Sequence, residues 1–477
     1  MSIKITQLRF LLLLIFPLYT ACFNSGPKTL PEGTAYEGIF RNVDDIKFLY
    51  DKTYVDEHNN RVIENAIFDE IFQVIAQSNR FILVDMFLFN AFKGKQQDVF
   101  RPLSEELTQA LITQKQKFPQ CEIIVITDPI NTVYGGISAP HLERLQQQNI
   151  PVVITDLNKL RDSNPLYSSL WRILFSTGTK KSVLMLPNPF GAGQVPLSSY
   201  LSLLNFKANH RKVLIGANDE DLTAIVSSAN PHDGSSAHGN VGVKFSGKAV
   251  MDLIETEKTV LHLSAGPTIQ FQPVNLQSDG AGEIKLRVIT ERAIKKSVVA
   301  AIHETQQGDS IDMAMFYLSE RNIIETLIAA KKRGVTIRVL LDPNKDAFGR
   351  EKNGIPNRQA GYELNRQGIQ VKWCNTQGEQ CHSKLTMVHR NKNPSTIILG
   401  SANFTRRNLN NFNLEINVEI QGAAKHPGIV EISDYFNQRW HSSETHKASV
   451  PYSVYQDDSL FRRWQYRMME ATGLSTF

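Results

Sequence analysis

Strand patterns and helical patterns alternate along the chain in a fixed order, and that order occurs twice. Each copy begins with an apolar run typical of a buried strand and continues with a segment that has apolar residues on one helical face. Strand, helix, strand, helix and strand in succession predict a mostly parallel or mixed sheet flanked by helices. The repetition predicts an α/β fold built from two similar halves. The matching segments are residues 81–89 and 311–316, 103–117 and 320–333, 122–129 and 336–343, 142–148 and 362–367, and 152–154 and 371–373.

The two halves differ by an insert in the first. The chain between Pro129 and His210 is about twice as long as that between Pro343 and His382, which places an insert at about 158–205. The insert is rich in Leu, Phe, Ile and Trp, and both a core and a lipid-facing surface fit that composition. We predict the following units: 1–21 signal peptide, 22–40 tether, 41–255 first half, 256–425 second half, and 426–477 helical tail.

The start of the chain is typical of a secreted protein. Lys4 and Arg9 are followed by the ten-residue apolar run Phe10 to Tyr19, which is shorter than the roughly 20 residues that a bilayer span requires. Small residues lead to Cys22, as in bacterial lipoproteins whose cysteine becomes the acylated N-terminus. We expect Cys22 to be lipidated, and a cleaved signal without lipid or an uncleaved anchor remain alternatives.

Composition narrows the functional classes. The chain has 477 residues, 42% hydrophobic and 21% charged, which excludes a disordered protein. A net charge of +5 is small for a dedicated nucleic-acid binder. Four cysteines are too few for a disulfide scaffold.

Each half ends in the same polar motif. A His-x-Lys sequence is followed, about 20 residues later, by Ser-x-Asn at the end of the next strand. One such motif is weak evidence, but two at matching offsets within a duplication indicate a shared chemical role. The motif residues are His210, Lys212, Ser228 and Asn230 in the first half, and His382, Lys384, Ser401 and Asn403 in the second.

These residue types suit displacement at a phosphodiester. Histidine can act as nucleophile or acid near neutral pH, while lysine and asparagine donate to phosphate oxygens. The set predicts a phosphoryl-transfer site that uses no metal or other cofactor. Ser228 and Ser401 are expected to be supporting donors or to shape the turn.

The motifs resemble those of the phospholipase D superfamily. Its mark is a duplicated His-x-Lys-x(4)-Asp followed by Gly-Ser-x-Asn, and the resemblance extends from about Phe68 to Ile420, most closely at Gly400 to Leu409. It implies two pseudo-symmetric halves with the active site at their interface. It also implies that one histidine forms a phosphohistidine while the other protonates the leaving alcohol.

The chain departs from the family pattern at the motif aspartates. Ala217 and His389 stand at those positions, and Asp219 can substitute only if the strand end shifts. Because of these replacements, a protein with this fold but without catalytic activity is an alternative.

The two halves also differ in the residue that follows each Ser-x-Asn strand. Glu415 fits the family's orienting carboxylate for the histidine of its own half, His382, while the aligned Asn240 offers His210 only an amide. A carboxylate partner makes an imidazole more basic. We therefore expect His210 to be the nucleophile and His382 the acid with the higher pKa.

Other polar residues give weaker signals. Cys374 and Cys381 flank a short loop before His382 and are expected to form a disulfide in an oxidising compartment, although two independent thiols also fit. His232 and His238 lack a diagnostic metal-ligand spacing.

Together these patterns predict a membrane-attached enzyme of the cell envelope, a lipoprotein facing the periplasm or exterior. Its expected partner is a phospholipid membrane, with water or an alcohol as acceptor, and nucleic acid is an unlikely substrate. A monomer is expected because both motifs lie on one chain. A secreted nuclease or other phosphodiesterase, and a catalytically silent head-group-binding lipoprotein, are the alternatives.

Overall fold

The computed structural model describes residues 28–94, 100–164, 167–168, 184–272, 282–392, 394–443, 445–473 and 475. Cys22 and part of the predicted insert, residues 165–166 and 169–183, lie outside the described residues. Up to residue 246 the strands are β1 (Arg41–Val43), β2 (Ile46–Tyr50), β3 (Lys52–Val55), β4 (Arg61–Glu64), β5 (Phe81–Met86), β6 (Glu122–Thr127), β7 (Val152–Ile154), β8 (Met185–Pro187), β9 (Gln194–Pro196), β10 (Lys212–Ala217), β11 (Leu222–Ser227) and β12 (Val241–Ser246). The later strands are β13 (Ile284–Thr290), β14 (Ser310–Met315), β15 (Thr336–Leu341), β16 (Asp346–Ala347), β17 (Arg350–Glu351), β18 (Gln370–Cys374), β19 (Lys384–His389), β20 (Ser395–Gly400), β21 (Ile416–Gly422) and β22 (Ser449–Pro451).

Helices join and cover these strands. Those before residue 264 are α1 (Ile67–Gln77), α2 (Leu103–Lys117), α3 (Pro140–Gln147), α4 (Leu197–Leu203) and α5 (Lys248–Leu263). Those after it are α6 (Arg292–His303), α7 (Arg321–Lys332), α8 (Asn357–Arg366), α9 (Arg406–Leu409), α10 (Pro427–Trp440) and α11 (Leu460–Thr472). The apolar faces that predicted them are buried, as Leu107 and Leu111 of α2 illustrate.

Two large mixed sheets form the centre of the described fold. A seven-stranded sheet has the order β2-β12-β11-β10-β5-β6-β7, and a nine-stranded sheet has the order β1-β13-β21-β20-β19-β14-β15-β18-β22. Strands β5, β6 and β7 run parallel, as do β14, β15 and β18, whereas β10 and β19 pair antiparallel to β5 and β14. The two sheets repeat one arrangement, which confirms the predicted duplicated α/β fold.

The sheets pack against each other through one apolar core. Strands β11 and β12 of the first sheet lie against β20 and β21 of the second. Their facing side chains include Val226 and Phe245 from one sheet, and Leu399 and Val418 from the other. This packing brings equivalent ends of the two halves together, where the motif residues lie.

The two halves share elements across the predicted boundaries between units. The boundary between residues 255 and 256 falls inside α5, and β1 pairs with β13 of the second sheet. The C-terminal tail is not wholly helical, because β22 adds an edge strand to the second sheet and α11 begins only at Leu460. None of the helices within the described ranges combines the length and the apolar character required to cross a membrane.

Candidate active site

The two motif histidines lie just before equivalent strands. His210 precedes β10 and His382 precedes β19, and the backbone N–H of each donates across to the other half. His210 N donates to Leu414 O over 2.9 Å, and His382 N donates to Gly239 O over 2.8 Å. Each histidine is therefore fixed by the segment that follows the Ser-x-Asn strand of the opposite half.

The side-chain partners of the histidines are crossed in the same way. His210 Nδ1 lies 2.8 Å from a carboxylate oxygen of Glu415, and His382 Nδ1 lies 3.0 Å from the amide oxygen of Asn240. The prediction that Glu415 orients His382 and Asn240 orients His210 is wrong. The reason is that each post-strand segment crosses the interface and presents its polar side chain to the imidazole of the other half.

Two serines hold these partners. Ser401 Oγ donates to the Glu415 carboxylate and accepts from Ile416 N over 2.9 Å. Ser228 Oγ donates to Asn240 over 3.3 Å and accepts from Val241 N over 3.0 Å. Both serines are buried, so they position the residues that support the histidines.

The two motif lysines are completely buried beside aromatic rings. Lys212 Nζ donates to His210 O over 2.6 Å and lies 5.0 Å from the Phe87 ring centre. Lys384 Nζ donates to His382 O over 2.7 Å and lies 5.1 Å from the Phe316 ring centre. Burial lowers the pKa of Lys212 to about 7, and burial together with the Lys212 charge holds the pKa of Lys384 well below its usual range. An anion between them would favour the charged form of both ammonium groups.

The motif asparagines have similar backbone geometry but different side-chain partners. In each half the asparagine carbonyl accepts from the N–H two residues later, in His232 and Thr405. Asn230 Oδ1 also accepts from Leu88 N over 3.2 Å, whereas Asn403 Oδ1 is buried and has no hydrogen-bond partner within the described part of the chain. Because this unpaired atom is an acceptor, it can take a hydrogen bond from a donor group of a ligand, such as a hydroxyl.

Burial favours the neutral form of both imidazoles. Burial lowers the pKa of His210 to about 4, although Glu415 acts in the opposite direction. Burial and the Lys384 charge hold the pKa of His382 well below its usual range. The greater basicity predicted for His382 is therefore not supported, because the carboxylate that raises an imidazole pKa belongs to His210.

Two buried aspartates, not among the predicted site residues, fix the residue before each histidine. Asp128 accepts from Asn209 N and Asp342 accepts from Cys381 N, each over 2.8 Å. Burial raises the pKa of Asp128 to about 7 and that of Asp342 to about 6. The sequence signal for them is the Asp-Pro pair that ends an apolar strand in each half.

The predicted disulfide is present beside the site. Cys374 and Cys381 form a disulfide with their Cα atoms 6.2 Å apart, inside the range for such a bond. The bond joins the end of β18 to the residue directly before His382. It therefore braces the backbone that presents this imidazole.

His232, His238 and Arg407 do not belong to the set of motif residues. His238 lies beside the site, its ring centre 5.8 Å from that of His382, and His232 Nδ1 lies 2.8 Å from Ser235 Oγ. No group of three metal-ligand side chains occurs among the residues that the structure describes. Arg407 donates to the backbone of Gly473 and Ser475, so it holds the C-terminal segment.

The positions that lack the motif aspartate have no common replacement. Ala217 is buried within β10, and Asp219 lies on the surface, where it pairs with Arg80 at 2.8 Å. His389 lies 3.5 Å from Asp312 of the neighbouring strand β14. Asp219 therefore does not replace the missing carboxylate.

One family model and two solved structures are similar to parts or most of this chain. Residues 298–440 match the family described as cardiolipin synthase, PLD-like domain. The phosphatidylserine synthase of Haemophilus influenzae Rd KW20 covers 91% of this chain and 95% of its own, with a TM-score of 0.57 and 9% identity. Nuc of Salmonella typhimurium, a phospholipase D family member, covers 35% of this chain and 98% of its own, with a TM-score of 0.28 and 23% identity. The search of curated proteins finds no match.

The family match includes His382, Lys384, Asn403 and Glu415, and the first of these structures shares the fold across both halves. Residues 298–440 therefore form a PLD-like domain of the cardiolipin synthase type, and the two-half fold is similar to that of the phosphatidylserine synthase structure.

Proposed function

We propose that this protein is a membrane-attached phosphodiesterase or phosphatidyltransferase that acts on a phospholipid through a phosphohistidine. The phospholipase D-like fold supports phosphatidyl transfer or phosphodiester hydrolysis as the class of reaction. The observation that carries the proposal is the crossed arrangement of two buried imidazoles, each held at Nδ1 from the opposite half. Holding Nδ1 leaves Nε2 of each ring for the reaction.

His210 is the nucleophile in this proposal. Its Nε2 attacks phosphorus and the bond from phosphorus to the leaving alcohol breaks. Glu415 stabilises the positive charge that the imidazole gains in this step, as a carboxylate behind an imidazole does in other enzymes. Glu415 therefore supports the nucleophile His210 directly, and does not raise the basicity of His382 as the sequence predicts.

His382 handles the proton. The charge of the incoming phosphodiester favours protonation of the groups that surround it, and His382 then gives a proton to the leaving alcohol. In the second step His382 accepts a proton from water or an acceptor alcohol, whose oxygen attacks phosphorus. The bond from phosphorus to His210 breaks, and the free enzyme is restored.

Lys212 and Lys384 neutralise the phosphate oxygens, and the amides of Asn230 and Asn403 add neutral donors. The small net charge of +5 favours a lipid substrate over nucleic acid, whereas aromatic rings beside the histidines suit either substrate. The Phe87 and Phe316 rings lie 4.8 and 4.9 Å from those of His210 and His382, and Phe348 stacks against His238 at 5.8 Å. A polynucleotide channel is typically lined with positive charge along its length.

The test is to incubate the purified protein with a panel of phospholipids, with and without an alcohol acceptor, and with DNA, and to identify the products by mass. We expect phosphatidic acid or a transphosphatidylated lipid, and none from the His210→Ala and His382→Ala variants. Cleavage of DNA alone would favour the nuclease alternative. Tight binding of phospholipid without any product would favour the silent head-group binder.

We also propose that acylation at Cys22 attaches the protein to the cell envelope. The support is the charged start, the ten-residue apolar run and the small residues before the cysteine. Mass spectrometry of the protein extracted from membranes should find a diacylglyceryl-modified Cys22 as the first residue. An unmodified or uncleaved N-terminus would contradict this attachment.

A further inference from the structure

Helix α11 presents an apolar stripe to solvent. Successive helical residues are 100° apart, so Leu460, Phe461, Trp464, Met468 and Ala471 fall within one arc of about 100°. The exposed fractions of the four large side chains are 75%, 70%, 60% and 41%, respectively. A surface helix ordinarily turns such a stripe toward the core.

The opposite face of α11 is fixed to the protein. Tyr466 is completely buried, and its hydroxyl donates to Ser319 O over 3.2 Å. The Glu470 carboxylate accepts from Ser319 Oγ over 2.9 Å and from Arg406 N over 3.2 Å. These contacts hold the helix by its polar side, so the outward direction of the apolar stripe is built into the fold.

The charges beside the stripe are positive. The helix carries Arg462, Arg463 and Arg467, and its single acidic side chain, Glu470, is buried. Arg462 and Arg467 retain about half of their side-chain exposure, although they lie 2.8 Å from Asp457 and 3.9 Å from Glu363, respectively. Exposed Trp, Phe and Leu beside arginine are typical of helices that lie in the interface of an anionic bilayer.

The helix is also close to the candidate active site. Tyr466 packs in one apolar cluster with Phe316, Tyr317 and Ile355. The Phe316 ring lies 4.9 Å from the His382 ring. One layer of side chains therefore separates α11 from the imidazole that handles the proton.

We propose that α11 docks on the surface of an anionic phospholipid bilayer, with its apolar stripe among the acyl chains and its arginines at the lipid phosphates. This contact is separate from the acyl group at Cys22 and fixes the orientation of the enzyme beside the membrane. The function of this membrane contact rests on the proposed lipid substrate, whereas the evidence for the contact is the structure of α11.

The test measures whether Trp464 reaches the acyl chains. The full chain with Cys22→Ser is mixed with vesicles of brominated phosphatidylglycerol, and the Trp464 signal is taken as the difference from a Trp464→Phe variant. Bromine on the acyl chains quenches only tryptophan that enters them. Trp373 and Trp440 are buried, and Trp171 is common to both proteins and cancels in the difference. We expect strong quenching of Trp464 with anionic vesicles and weaker quenching with phosphatidylcholine vesicles.

Variants separate the apolar and the electrostatic contributions to vesicle binding. Phe461→Ser with Met468→Ser should weaken vesicle binding, titrated by this quenching, by about 100-fold, because burial of two large apolar side chains contributes about that factor. Arg462→Gln with Arg467→Gln should weaken it by about 20-fold on anionic vesicles alone. Val430→Ser is the matched control, since Val430 is an exposed apolar residue on α10 and is 39% exposed. Circular dichroism and thermal midpoints check that each variant folds.

Absence of Trp464 quenching overturns the proposal, and so does a dimer that buries α11 and leaves Trp464 unquenched. Equal binding by the Phe461/Met468 variant and the Val430 control overturns it as well. Turnover of a short-chain phospholipid below its micelle concentration is measured in parallel. Loss of turnover with intact quenching would refute the proposed function alone, because docking does not require the reaction.

Discussion

Replacement of Glu415 by glutamine tests the crossed arrangement directly. The Glu415 side chain is completely buried, and it accepts hydrogen bonds from His210, Ser401 and Asn408. Burial raises the pKa of its carboxyl, but the nearby His210 and Lys212 lower it to a net value below the usual one, so the group is an anion at pH 7. Glutamine keeps the shape and removes the charge.

In the proposed mechanism, the loss should appear in the rate at which the phosphohistidine forms. The imidazole becomes positively charged as it attacks phosphorus, and the variant leaves that charge without its anionic partner. Lost acid–base support of this kind slows turnover by about 10² to 10⁴, which corresponds to about 2.7 to 5.4 kcal/mol in the activation free energy. Asn240→Ala removes the equivalent partner of His382 and is the matched control.

The assay compares a lipid substrate with a p-nitrophenyl phosphodiester, whose leaving group departs without a proton. We expect Glu415→Gln and His210→Ala to be slow on both substrates, because attack is impaired. Asn240→Ala and His382→Ala should be slow on the lipid but form the phosphohistidine rapidly from the nitrophenyl substrate. The opposite pattern, with Glu415→Gln rescued by the nitrophenyl group, would refute the assignment of His210 as nucleophile.

Three further predictions concern stability. Burial lowers the pKa of His232 to about 4, below its unfolded value, so the stability that the neutral imidazole contributes is present above pH 6.5 and is lost as the pH falls toward 4. In His232→Asn the unfolding free energy should therefore change by about 3 kcal/mol less over that pH window. An equal pH dependence in the variant and the parent protein would contradict a buried neutral imidazole. Arg211 is completely buried between Glu257 and Glu291, with nitrogen–oxygen distances of 3.1 and 2.8 Å. Arg211→Met should lower the free energy of unfolding, measured in urea, by about 3 to 5 kcal/mol. A change near zero would show that the two carboxylates do not need the guanidinium. Reduction of the Cys374–Cys381 disulfide should lower the unfolding free energy by about 2.5 kcal/mol, with the reductant-treated Cys374→Ser, Cys381→Ser variant as the control that should not respond.

Local patterns predicted the elements well because they depend on neighbouring residues. The helical pattern at Leu103–Lys117 ends where α2 ends, and the segment at 320–333 differs by one residue at each end from α7. Strand β22 was missed because three residues, Ser449–Pro451, are too few to show alternation. Its place is fixed by pairing with the edge of β18.

The site residues were predictable as a set but not as pairs. The two halves have the same local sequence order, so a post-strand residue such as Glu415 fits equally well beside the histidine of its own half or of the other. The sequence separation of 205 residues between His210 and Glu415 is a tertiary fact that only the packing of the sheets decides. The same limit hid Asp128 and Asp342, whose role depends on the backbone segment that lies next to them.

Because Glu415 and Asn240 each support the histidine of the other half, neither half expressed alone would have a complete site. Each half made as a separate polypeptide would carry a histidine and a lysine but would lack the side chain that orients that histidine. Activity would then arise only when the two fragments associate, and it would follow their second-order mixing. Association of two copies of the same half would give both imidazoles the same partner, two carboxylates or two amides. Only the joined, unlike halves place one imidazole against Glu415 and the other against Asn240, and so allow the two histidines to differ in chemistry.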